Sequence, residues 1–218
     1  MFELPENPRG SLGVFAVTVP TGTVQVDADT FTDCVGLAQV PLPATIAVIE
    51  AGGIAPITRR GTMTRDDEEE EDGDEGEEYG AFSGCSSLRE VSLPPNLTRI
   101  GEGAFADCTS LAGITLPPNL TENGAAAFDE CESLSEIALP PNLTEIRLRA
   151  YFQCTSLRKI TLSPDLTEIG AYAFSRCISL SEITLPAGPI PAGPVIILCE
   201  AFSFCKSLSE KSAATQPR

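Results

Sequence analysis

GAFADCTSLAGITLPPNLTEN, residues 103–123, decides the fold, because the same pattern returns on both sides of it. GAFSGCSSLREVSLPPNLTRI (80–100) precedes it, and AAFDECESLSEIALPPNLTEI (126–146), RAYFQCTSLRKITLSPDLTEI (149–169) and YAFSRCISLSEITLP (172–186) follow. Cys85, Cys108, Cys131, Cys154 and Cys177 are each 23 residues apart. A fixed period of this length marks a solenoid, in which each repeat is one structural unit stacked on the next. Degenerate copies around Phe31, Cys34 and Leu37 and around Phe202, Cys205 and Leu208 bring the aromatic-x-x-Cys-x-x-Leu signature to seven occurrences. Val14, Val17, Val19 and Val26 fit a half rung ahead of them, an N-terminal cap.

Within one rung, Leu111, Ile114 and Leu116 form a strand whose side chains alternate in and out, and Pro117-Pro118 end it because proline cannot donate to a ladder. Leu120 begins a short extended return. Ala127, Phe128 and Cys131 have the spacing of a single helical turn, which places Phe128 and Cys131 on one inward face. No rung can bury its apolar edge alone, so rungs stack into an α/β repeat solenoid with parallel strands and columns of like residues. The aromatic column runs Phe31, Phe82, Phe105, Phe128, Tyr151, Phe174, Phe202.

The pattern I-G-x-x-A-F-x-x-C-x-S-L-x-x-I-x-L-P-x-x-L-T, spanning most of residues 12 to 211, resembles the BspA-type leucine-rich repeat. The resemblance implies a leucine-rich-repeat right-handed superhelix, with parallel strands on the concave face and short helical turns opposite. It also implies use in recognition, often in surface proteins of bacteria and protists that mediate adhesion. The chain departs from the pattern where Arg147 breaks the glycine column and Asn123 replaces isoleucine.

The repeat divides the chain into a half-rung cap (1–27), a first degenerate repeat (28–50), an insertion (51–79), the regular array (80–211) and a tail (212–218). The insertion holds eleven carboxylates between Asp66 and Glu78, leaving twenty acids against fourteen bases elsewhere. High charge and few large apolar residues predict disorder there. It reads either as a solvated loop or as a contact for a basic partner; an EF-hand fails because Tyr79 falls where a bidentate Glu is needed. A second insertion of five residues, in PAGPIPAGPVIILCEAF, reads as an extended bulge carrying Cys199 off the cysteine column, and Lys211 puts a charge where the array stops.

A net charge of −17 without a basic patch excludes a nucleic-acid surface. The chain has no histidine, which removes Ser-His and Cys-His nucleophiles and His-ligated metal sites. Cysteines in stacked rungs point the same way, poor geometry for bridging, and no C-x-x-C pair is present, so buried thiols acting as small hydrophobes are expected, with no metal and no cofactor. The sequons at Asn96, Asn119 and Asn142 are glycan acceptors only in a secreted eukaryotic protein, and the repeat itself already requires a turn residue, a core Leu and a Thr there. The first twenty residues lack a basic segment leading into an apolar one, and no stretch approaches eighteen apolar residues, so no membrane insertion is expected. The compartment is cytoplasmic if this N-terminus is complete, and the cell surface or beyond if a signal peptide precedes it.

These absences, with no nucleophile–base pair and no phosphate-cradling loop, point away from an enzyme. The outward positions of the strand column form the natural binding surface. They are Gln39 and Pro41, Glu90 and Ser92, Gly113 and Thr115, Glu136 and Ala138, Lys159 and Thr161, Glu182 and Thr184, flanked by Arg89 and Arg158. The expected function is a non-enzymatic recognition or scaffold module for a protein partner. A BspA-like surface adhesin, or a structural or decaying repeat fragment without a ligand, are the alternatives.

Overall fold

A computed structural model describes residues 15–28, 30–50, 80–184 and 195–208. Both insertions fall largely outside the described residues, as do Val14, Tyr79, Lys211 and the tail. The described chain is a leucine-rich-repeat solenoid built from very short parallel strands. Odd-numbered strands occupy the L-x-x-I-x-L position: β1 (Phe15–Ala16), β3 (Leu37–Pro41), β5 (Glu90–Ser92), β7 (Gly113–Ile114), β9 (Glu136–Ala138), β11 (Lys159–Thr161) and β13 (Glu182–Thr184). Even-numbered strands occupy the return: β2 (Gln25–Val26), β4 (Val48–Ile49), β6 (Arg99–Ile100), β8 (Glu122–Asn123), β10 (Glu145–Ile146), β12 (Glu168–Ile169) and β14 (Ile196–Ile197). The return, expected only as an extended segment, is thus a second parallel ladder. Register follows the repeat, with Ile160 beside Ile137 and Ile183, and Ile146 beside Ile169.

The expected helical turn is refined rather than kept. It is a run of tight turns whose backbone N–H groups alternate between their own rung and the next. Ala106 N–H donates to Gly103 O (3.0 Å) and Cys108 N–H to Phe105 O (3.3 Å), whereas Phe105 N–H donates to Ala127 O (2.9 Å) and Asp107 N–H to Asp129 O (2.9 Å). An α-helix would direct these donors along its own axis and leave none for the neighbouring rung. The alternation requires left-handed residues on both sides of the aromatic, which are found at Ala126 (φ 51°) and Glu130 (φ 56°), Arg149 (φ 53°) and Gln153 (φ 57°), Tyr172 (φ 55°) and Arg176 (φ 63°). Each non-glycine residue of this kind costs about 1–2 kcal/mol of local strain, offset by the backbone groups it pairs between rungs.

Inside this frame the rings of the aromatic column stack nearly parallel, from Phe31–Phe82 at 4.9 Å to Phe105–Phe128 at 5.4 Å between centroids. That spacing matches the separation of neighbouring strands, about 4.8 Å. The cysteines are buried and form no disulfide except that Cys199, also unbridged, is exposed. The buried thiols do more than fill space. Cys108 Sγ donates to Phe82 O (3.2 Å), Cys131 Sγ to Phe105 O (3.2 Å) and Cys154 Sγ to Phe128 O (3.2 Å), the carbonyls that already accept a backbone N–H within their own rung. Each such oxygen has two lone pairs and uses both. The Asn side chains also bond the preceding rung at the turn, Asn119 Nδ2 donating to Pro95 O (3.0 Å) and Asn142 Nδ2 to Pro118 O (2.9 Å).

One junction differs. Counting rungs by their cysteines, from Cys34 in the first, both ladders stop between the third rung and the fourth: among the described residues none joins β7 to β9 or β8 to β10. The turn face stays closed there, through Gly103 N–H to Ala125 O (2.9 Å) and the Phe105–Phe128 stack.

Two outcomes follow for stability. Phe128→Ala should cost about 3–5 kcal/mol and split denaturant unfolding into two transitions, since its ring stacks across the junction that lacks both ladders; a single unshifted transition contradicts this. Gln153→Gly should raise stability by about 1 kcal/mol, because glycine adopts the left-handed φ without strain and keeps the N–H that bonds Ser175 O (2.9 Å). The midpoint of chemical unfolding at unchanged slope measures it.

Candidate functional site

The strand face places the expected residues in two groups. Arg89, Glu90, Ser92, Thr115 and Glu136 line one groove of about 840 Å³, together with Ala112, Gly113, Ser135 and the strand-ending prolines Pro95, Pro117 and Pro118. All five are exposed. The groove exists because the outward column shrinks in its middle: Gly113 lies beside Glu90 in register, and the space where its Cβ would be is empty to 4 Å. Ala112 and Ser135 keep the adjacent column low where Arg89 and Arg158 rise on either side. Glu90 and Ser92 also border a smaller hollow of about 340 Å³ with Gln39 and Pro41.

Lys159, Glu182 and Thr184 form the second group and satisfy one another. Lys159 Nζ lies 3.0 Å from Glu182 Oε1, and Thr184 Oγ1 donates to the same oxygen at 3.2 Å. Arg158 and Thr161 flank them but do not line the groove. An exposed pair of this kind contributes little to stability, about 0–1 kcal/mol. Ser135, Ala112 and the prolines were not among the expected residues, although their small size relative to Arg89 and Arg158 is visible in the repeat alignment.

A polar cluster on the turn face was not foreseen either. Asp129 and Arg149 pair at 2.8 Å with both side chains largely buried, and the Arg149 guanidinium lies 4.1 Å over the Phe152 ring. Arg176 continues the row, 5.8 Å from both Phe152 and Phe204. Among the described residues Asp129 Oδ1 and Arg149 Nε have no hydrogen-bond partner. Burial raises the Asp129 carboxyl from its ordinary 3.8 to about 7 against the pull of Arg149, with Glu130 and Asp107 adding to the rise. Burial also pushes the column thiols up, Cys205 to about 11, so they stay protonated as donors and are poor nucleophiles. Among the described residues no three His, Cys, Asp or Glu side chains are grouped to hold a metal. No helix there is long and apolar enough to cross a membrane.

Comparison with known proteins places this geometry. The family model described as BspA type leucine rich repeat region matches residues 78–209 in six copies. The chain belongs to the BspA-type leucine-rich repeat family. Among solved structures, a leucine-rich repeat protein of T. pallidum superposes with a TM-score of 0.69 at 26% identity, over 94% of this chain and 85% of that one. A leucine-rich repeat protein of Eubacterium ventriosum gives 0.59 at 21% identity over 87% and 42%. One of Bacteroides ovatus gives 0.52 at 21% over 88% and 53%, so this BspA-type chain spans about half the length of these two. No functionally curated protein matches.

The Asp129 assignment has a direct check. Its carboxyl carbon should titrate by NMR with a midpoint near 7. Because the folded chain then holds this proton more tightly than the unfolded chain from 3.8 upward, stability should decline as pH rises through the window from 3.8 to about 7. The Asp129→Asn chain should lose that part of the slope; an unchanged slope assigns the dependence to other groups.

Proposed function

We propose that the protein is a non-enzymatic recognition module that docks a protein partner on its strand face, with the contact centred on the groove between Glu90 and Glu136. The observation that carries this reading is the groove itself. Elsewhere the strand face is occupied by outward side chains, and toward the C-terminus these already bond to each other. Around Gly113 the sheet is bare, flanked by an arginine, two carboxylates that pair with no cation among the described residues, and hydroxyls that can receive an extended segment.

The chemistry of the groove sets the kind of contact. It has no aromatic anchor, and aromatic residues and arginine dominate interface energetics, so Arg89 is its one residue of that class. Carboxylates at the rim act on association rate and partner choice more than on bare affinity. A contact of this composition gains strength by recurrence along an array, as avidity, rather than from one deep pocket.

Gly113→Leu tests the reading without disturbing the scaffold, since the added side chain enters open space in a β conformation. Proteins captured by the wild-type chain should bind the Gly113→Leu chain at least tenfold more weakly, and bind a chain altered on the return face, Glu168→Ala, with unchanged affinity. Equal capture by all three chains means the groove is not the docking site.

A further inference from the structure

Both ladders stop at the one junction where the return column departs from the repeat at donor and acceptor together. In the return column, the residue after the second strand donates its N–H to the preceding rung at every other described junction: Glu50 to Val26 O (2.8 Å), Gly101 to Ile49 O (2.8 Å), Gly124 to Ile100 O (2.9 Å), Gly170 to Ile146 O (2.7 Å) and Leu198 to Ile169 O (2.9 Å). At the third-to-fourth junction the donor position is Arg147 and the acceptor is Asn123, and no bond forms between them. This corner is tight: a Cβ on Gly170 would lie 2.7 Å from the carbonyl carbon of Arg147, and one on Gly124 would overlap the backbone of Gly101 and Glu102. Arg147 carries its Cβ into that corner from within the regular array. Glu50 and Leu198 also carry a Cβ and keep their bonds, Glu50 at the regular spacing, so this junction is set apart by Arg147 in the corner together with Asn123 as its acceptor, not by a Cβ alone.

Side-chain contacts take the place of the ladder. Asn123, buried at a position that is isoleucine in neighbouring rungs, donates to the Tyr151 hydroxyl at 3.2 Å, while its Oδ1 has no partner among the described residues. On the surface Glu122 reaches Arg147 at 3.3 Å and Arg99 at 3.4 Å. On the strand face the same junction admits solvent: Ile114 is half-buried, whereas its column neighbours Val91, Ile137 and Ile160 are buried. The groove lined by Ile114, Gly113 and Glu136 opens there. The turn face keeps its backbone set, with Gly103, Phe105 and Asp107 donating to Ala125, Ala127 and Asp129 and the ring stack unbroken, and the side-chain bonds from Ser133 Oγ to Thr109 O (2.6 Å) and from Asn142 Nδ2 to Pro118 O (2.9 Å) also cross the junction.

We propose that the junction between the third and fourth rungs is a hinge, with the turn face as its axis and the Asn123–Tyr151 and Glu122–Arg147 contacts as its latches, so that the solenoid flexes as two blocks and changes the width of the strand-face groove. Interior packing elsewhere resists gradual deformation, so motion concentrates where ladder bonds are missing. The hinge stands whether or not the groove docks a partner, because it follows from the backbone alone.

Paired spin labels test it on the full chain, in a Cys199→Ser background so that no exposed native thiol is labelled. Labels at Ser92 and Ala138 span two junctions including the hinge; labels at Ala138 and Thr184 span two that do not, at the same ladder spacing of about 10 Å. The first pair should show a distance distribution at least twice as wide as the second. Restoring the regular rung with Asn123→Ile, Tyr151→Phe and Arg147→Gly should narrow the first to match the second. Glu122→Gln, which disturbs no buried group, should widen it further, as should raising ionic strength. Equal widths in the unrestored chain overturn the hinge whatever the variants do. If the restored chain folds and the width persists, the cause lies outside these three residues and the proposal fails in that form.

Discussion

Pairing of backbone groups between rungs about 5 Å apart is the constraint on which the rest of this structure depends. A rung of 23 residues has no hydrophobic core of its own, and its polar backbone would be buried without partners unless the next rung supplied them at every side. On the strand and return sides ordinary parallel ladders do this. On the third side the chain must turn sharply and still send donors to its neighbour, which explains the alternating hydrogen bonds and the left-handed residues flanking each aromatic. The columns of rings, thiols and asparagines follow, since a feature that satisfies one junction satisfies all of them when repeated in register.

Because each rung touches only its neighbours, stability is close to a sum over junctions, and a weak junction is felt locally rather than averaged away. The third-to-fourth junction is such a place. It keeps the aromatic stack, a thiol bond, the turn ladder and the Ser133 and Asn142 side-chain bonds, and gives up both strand ladders. The groove lies across the same region, so the least constrained backbone borders the least occupied part of the outward face. Recognition surfaces and low local stability coincide often, since a surface that adjusts to a partner cannot be locked by its own ladder.

Most of the scaffold was legible in the sequence because it is a matter of period. Phe105, Cys108, Leu111 and Leu120 name their columns by recurring, and burial follows from recurrence. The turn conformation was not legible, since Ala126, Glu130 and Gln153 carry no signal for a left-handed backbone; their φ values are imposed by the rungs on both sides. The outward strand residues were legible as positions but not as a site. What makes Glu90 and Glu136 the edges of a groove is the missing side chain at Gly113, whereas Lys159 and Glu182, equally prominent in sequence, neutralise each other. Asp129 and Arg149 were invisible as a pair because neither recurs in its column.

Departures from the repeat separate into those that are compensated and one that is not. Rung five has Asp165 where rungs two to four have Asn and so lacks the amide donor, but Ser163 stands where they have proline, and its hydroxyl donates to Pro141 O at 3.0 Å, in place of the missing bond. Asn123 introduces a polar group into an isoleucine column, and Tyr151, the one phenol in the ring column, meets it with its hydroxyl. In each case two substitutions that look like erosion separately preserve one contact together. Arg147 has no such counterpart: its N–H makes no bond to Asn123 O, and both ladders stop at its junction. The distinction matters for reading repeat arrays generally. A changed residue alters the fold only where no neighbouring change restores the junction, so the junction, not the rung, is the unit in which departures should be weighed.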